Sequence, residues 1–72
     1  MLYKVTVKKN EHSNGVRLEK GMSVEVAYKL YSPLSTVQGK DLVANAFMAK
    51  YGVDLKKACA LSPLVLDVVK IN

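Results

Sequence analysis

The stretch Gly39–Gly52, GKDLVANAFMAKYG, decides the fold. Val43, Phe47 and Tyr51 recur every fourth residue, with Ala44, Ala46 and Met48 beside them. A 3.6-residue period stacks such positions into one apolar stripe wide enough to cover a sheet face. Asp41 falls in the expected first turn, where a helix N-terminus favours negative charge, and Lys50 in the last, where the sign reverses. Gly52 then serves as a left-handed terminator, a conformation glycine adopts without a Cβ penalty. A helix over residues 40–51 is about 18 Å long. Alone in water it is marginal, so the rest of the chain must supply a surface for it.

Upstream, Leu2–Lys9 (LYKVTVKK) alternates, with Tyr3, Val5 and Val7 on one side and Lys4, Thr6 and Lys8 on the other. That period predicts a half-buried strand. The polar segment Asn10–Gly15 (NEHSNG) follows, and its Asn-Gly pair is a turn signal because both residues tolerate positive φ. Val16–Glu19 is expected to return on the first strand. Lys20-Gly21 makes a second turn, and Met22–Tyr28 (MSVEVAY) gives a third strand, completing a meander. Ser32-Pro33 breaks the pattern, leaving Lys29–Gln38 as a connector whose apolar Leu30, Tyr31 and Leu34 are expected to fold over the core, with a contact surface as the alternative.

Downstream, Asp54 caps an expected second short helix, DLKKACAL, up to Leu61, with Leu55, Ala58 and Cys59 facing inward. Ser62-Pro63 ends it. Leu64–Ile71 (LVLDVVKI) is a last strand, paired with the first. Its adjacent Val68 and Val69 point to a central strand covered on both faces, or to a bulge. The fold class is therefore α+β, in the order βββααβ: a four-stranded, mainly antiparallel sheet with one main and one short helix on one face. An SH3-like small barrel with a helical insertion is the alternative.

Seventy-two residues allow one domain, spanning 1–72, with a small core and no room for a deep catalytic cavity. The single cysteine excludes an internal disulfide, which suggests a reducing, cytoplasmic setting. No run approaches the apolar length of a membrane span, and MLYKVTVKK lacks the apolar core of a signal peptide. The formal net charge is +5. Residues 1–20 carry Lys4, Lys8, Lys9, Arg17 and Lys20 against Glu11 and Glu19, so the N-terminal hairpin is the more basic part.

Catalytic and metal-binding constellations are missing. His12 and Cys59 are single, so no Cys-x-x-Cys or His-x-x-x-His ligand spacing exists, and no second histidine is available as a base for the thiol. His12 is expected in a solvated turn and Cys59 as a buried structural thiol. Glu19 and Glu25 flank a turn among lysines, as surface charges do. A cofactor is not expected, and neither is an enzyme. Nucleic acid is the more specific binding option, through Lys8, Lys9, Arg17 and Lys20 with Tyr3, Tyr28 or Tyr31 as stacking platforms. Alternation, however, turns Tyr3 and Tyr28 towards the apolar face, and Lys8 and Lys9 to opposite sides of a strand. The broader option is a protein-interaction module, through an edge strand or by self-association. Val69 and Ile71, if outward on the second sheet face, would be buried by a dimer.

Two stretches carry a resemblance: VRLEKGMSVEV at 16–26 and AFMAKYGVDLKKA at 46–58. Together they resemble a family of short uncharacterised proteins from Bacteroides-type gut bacteria, of similar length and element order. That resemblance implies no activity and no binding residues. LEKGMSVEV is also similar to the Leu-x-x-Gly-x-x-Val-x-Val pattern of SH3-like barrels, which hairpin geometry alone produces. The expected function is a non-enzymatic domain that binds an unknown protein or itself, with a nucleic-acid-binding hairpin as the alternative.

Overall fold

The structure is a computed structural model that describes residues 1–29 and 33–71. Leu30 and Tyr31 of the connector, and Ser32 of the Ser32-Pro33 break, lie outside the described residues. Among the described residues, five strands and one α-helix form: β1 (Leu2–Val7), β2 (Glu11–Ser13), β3 (Val16–Leu18), β4 (Ser23–Ala27), α1 (Val37–Tyr51) and β5 (Leu66–Lys70). The fold is small α+β, with antiparallel sheets of three strands (β4-β1-β5) and of two (β2-β3).

The meander is corrected by the structure. NEHSNG is not all turn: Glu11–Ser13 pairs with β3 around Asn14 (φ 51°) and Gly15 (φ 80°), so His12 is a strand residue opposite Arg17. With its ladder satisfied there, β3 does not return on β1. Instead β4 does, matching Val24 to Val5 and Val26 to Tyr3, so that the apolar residues of both strands share one face. The expected pairing of the last strand with the first holds, from Tyr3 opposite Lys70 to Val7 opposite Leu66. That register is unbroken, so the Val68–Val69 pair marks no bulge, and β5 is an edge strand. The central strand is β1, whose Tyr3, Val5 and Val7 are buried.

The helix covers the inner face, burying Val43, Ala44 and Phe47 with the β1 and β4 valines in one cluster. It starts earlier than the expected residue 40. Thr36 is the N-cap, its hydroxyl accepting from the Gly39 N–H at 3.1 Å. Asp41 therefore lies beyond the first turn, while Lys50 does sit in the last. Met48 points outward. Gly52 closes the helix in the left-handed conformation (φ 70°), donating to the Met48 carbonyl at 2.9 Å.

The second helix is the other correction. Asp54 does cap, its carboxylate accepting from the N–H groups of Lys56 and Lys57. Only one turn follows before Cys59 adopts φ 55°, with Cys59 N–H bonded to the Lys56 carbonyl and Ala60 N–H to the Leu55 carbonyl. This is a helix-stop motif, and it arrives before a helix has formed. Leu55 and Ala58 face inward as expected, but Cys59 is exposed. The turn leans on its neighbours: Asn14 Nδ2 donates to the Lys57 carbonyl, and Lys56 pairs with Asp41 at 2.5 Å.

Gly39 is the tightest point in the packing. A 3₁₀ turn over Pro33–Ser35 presses on the start of α1, and a Cβ at position 39 would overlap the Pro33 carbonyl. Gly39→Ala gains up to about 1 kcal/mol of helix propensity. It also forces a clash with backbone that no rotamer relieves, at the upper end of the ~1–3 kcal/mol typical of overpacking. The expected outcome is a lower melting temperature by calorimetry, by several degrees. An unchanged or raised value would show that the 3₁₀ turn yields freely.

Candidate functional site

The alternation of the antiparallel ladder determines which backbone groups of β4 stay open. Val7 N–H bonds to the Met22 carbonyl and Tyr28 N–H to the Met1 carbonyl, at the two ends of the β1–β4 pairing. Val24 and Val26 therefore spend their hydrogen bonds on β1, as do the Met22 carbonyl and the Tyr28 N–H. Ser23, Glu25 and Ala27 aim theirs out of the sheet edge. At Ser23 the chain closes that edge itself. The Tyr51 hydroxyl accepts from Ser23 N–H at 2.9 Å and donates to its carbonyl at 3.0 Å, and Lys50 Nζ reaches the same carbonyl at 2.8 Å. Tyr51 is held for this by its stack on buried Phe47, with ring centres 5.7 Å apart. Ser23 N–H donation, helped by Lys50, holds the Tyr51 phenol below its usual value of 10.0.

Beyond Ser23 no described residue hydrogen-bonds to this edge where it runs beside α1. Ala27, Tyr28 and Lys29 line a groove of about 630 Å³ with Gln38, Asp41, Leu42 and Asn45 of the helix, and Met1 at its side. A second hollow continues along Ser23–Glu25 against Ala46 and Ala49. The helical positions recur every three or four residues, so a single face of α1 runs along the open edge. At the near end Tyr28 and Thr36 share a hydroxyl hydrogen bond, which ties the helix start to the strand.

The sheet has another open surface. Cross-strand rows Ala27–Leu2, Glu25–Lys4–Val69 and Ser23–Thr6–Asp67 make up the outer face, and Ile71 N–H bonds to the Leu2 carbonyl beside them. Val69 is 48% exposed and Ile71 45%.

The basic residues singled out by charge are only partly gathered. Arg17 and Lys20 border one hollow of the β2–β3 hairpin, together with His12, Glu11 and Glu19. The acids there match the bases in number. Lys9 is paired with Glu11 at 3.2 Å, and Lys8 lies past the end of β1, its N–H on the Val65 carbonyl. Tyr3 and Tyr28 are buried, so neither is a stacking platform, and Tyr31 is outside the described residues. Among the described residues no group of three or more His, Cys, Asp or Glu gathers as a metal site. None of the described helices is long and apolar enough to cross a membrane.

Comparison with known families reaches almost the whole of this chain. The model titled Family of unknown function (DUF6140) matches residues 1–68, which takes in every strand but the last two residues of β5, the helix and the groove. The chain belongs to DUF6140. The resemblance to an uncharacterised family is thus borne out at the level of unknown function, and DUF6140 membership carries no residue roles. No curated protein and no solved structure matches the chain.

The edge closure at Ser23 is open to titration. A folded-state phenol below its unfolded value contributes stability that is fully present above the unfolded value and lost as pH falls through the folded one. Near-ultraviolet phenolate absorbance should show Tyr51 ionising below pH 10.0 in the folded chain, and that component should vanish in Tyr51→Phe. If the variant titrates like the parent, the Ser23–Tyr51 bonds do not persist in solution.

Proposed function

We propose that this DUF6140 chain is a non-enzymatic protein-interaction module of a reducing, cytoplasmic setting, and that it associates with a second copy through the outer face of its sheet. The supporting observation is the pair Val69 and Ile71, held about half exposed on a face that no described element covers. Leu2 and Ala27 adjoin them. Lys4 lies between Glu25 and Val69 in one row of that face, and Asp67 lies in the neighbouring row opposite Thr6. A two-fold arrangement sets such a cation against the acids of the partner, so the face is complementary to itself. The lone His12 and the lone Cys59, on separate elements, favour binding over catalysis.

Light scattering after size exclusion tests this directly. The chain should approach twice its 7.9 kDa mass as concentration rises, while Val69→Lys/Ile71→Lys stays at the single mass with its fold intact by circular dichroism. A parent chain that is monomeric at every concentration removes the self-association reading.

Nucleic-acid binding is the second reading, supported by Arg17 and Lys20 on one exposed hollow. Glu11 and Glu19 on the same rim weigh against it. Anisotropy with labelled single- and double-stranded oligonucleotides should show no tight binding at physiological salt. Binding that falls steeply with log salt and is lost in Arg17→Glu/Lys20→Glu would put nucleic acid first.

A further inference from the structure

We propose that the groove between the open edge of β4 and α1 receives an extended, acidic segment of a partner polypeptide as an added strand, with one apolar side chain seated among Met1, Ala27, Tyr28 and Leu42. This specifies a partner class for the interaction reading but uses a different surface from the outer face.

Three independent features converge here. The first is backbone. The N–H and C=O groups of Glu25 and Ala27 point out of the sheet, and among the described residues no side chain meets them as Tyr51 and Lys50 meet Ser23. An extended chain laid alongside satisfies two such residues with one repeat of an antiparallel or parallel ladder. The second is shape. Gln38, Leu42, Asn45 and Ala49 form a helix face parallel to that edge, and small Ala46 and Ala49 keep the far end open. Leu42 is 42% exposed although its helix covers the sheet, because it overhangs the groove and not the core. Side chains of an added strand alternate, so one of each pair turns towards Leu42 and Tyr28 and the next towards solvent.

The third is charge. Lys29 borders the groove at one end and Lys50 at the other. Lys29 makes no ion pair with a described residue. Of the acids nearby, Asp41 is paired with Lys56, and Glu25 stands opposite Lys4 in the ladder. The groove therefore presents net positive charge at both ends, which favours Asp or Glu flanking the seated apolar residue. The Ser23 closure limits the added strand to the stretch from Glu25 to Lys29. That is about five residues, or roughly 17 Å of extended chain.

The test is selection of random nonapeptides displayed on phage against the immobilised full-length chain, followed by titration of the winning synthetic peptide. Enrichment of sequences with one apolar residue flanked by Asp or Glu is expected. Ala27→Pro removes only a donor that β1 does not use, and should weaken binding by about tenfold, the scale of one hydrogen bond. Lys29→Glu should weaken it comparably and more at low salt, whereas Leu64→Lys, on a remote exposed residue, should not. Should Ala27→Pro fail to fold, N-methylation of the peptide at alternate backbone nitrogens removes the same ladder from the ligand side. Failure to enrich any peptide, or a winner indifferent to Lys29→Glu and to N-methylation, overturns the proposal. A helical winner does so too. A chain that dimerises yet selects nothing loses the groove and keeps the outer face. A monomer that binds the peptide does the reverse.

Discussion

Everything in this molecule depends on β1 lying in the middle. Its inner row, Tyr3, Val5 and Val7, is almost wholly removed from water. Its hydrogen bonds are divided by parity, with odd residues bonding β4 and even residues bonding β5. A chain of this length buries only about 60% of its unfolded surface, so it can surround one strand and little more. One helix suffices to cover one face. Among the described residues, the opposite face and the β4 edge beyond Ser23 are left uncovered.

How the fold was legible follows from that economy. The α1 stripe of Val43, Ala44 and Phe47, the Gly52 stop, the Asn14–Gly15 turn and the β1–β5 pairing all rest on patterns of several residues, and all appear. The short elements do not obey pattern. β2 is three polar residues, and only its turn marks it. Thr36 was hidden as a cap because Gly39, four residues short of the first buried valine, looks like a boundary when it is in fact an interior contact with Pro33. The segment after Asp54 carries good helix formers, yet Cys59 ends it after one turn, since Leu55, Ala58 and Ala60 must all reach the core.

The candidate surfaces were legible in a different measure. Lys8, Lys9, Arg17 and Lys20 stand out by charge, but charge along the chain does not reveal that Glu11 and Glu19 share the hollow of Arg17 and Lys20. Val69 and Ile71 were readable as outward residues once the strand was placed. The groove beside β4 was not readable at all, because an edge is a property of strand order. That order turned on which strand took β3 as a partner, and three-residue ladders leave almost no trace in sequence. The one hint lay in Tyr51, a polar-tipped aromatic at the end of an apolar stripe, whose hydroxyl had to go somewhere.

The left-handed Cys59 has a practical meaning. A residue with a Cβ at that φ gives up roughly 1 kcal/mol or more that glycine would keep. In a domain with so small a core this is a noticeable share of the total. The same position places a free thiol on the surface, where oxidation in air joins two chains covalently and counterfeits a dimer. Glycine there would release the strain and remove the artefact together, which makes position 59 the natural place to begin engineering a sturdier form of the protein.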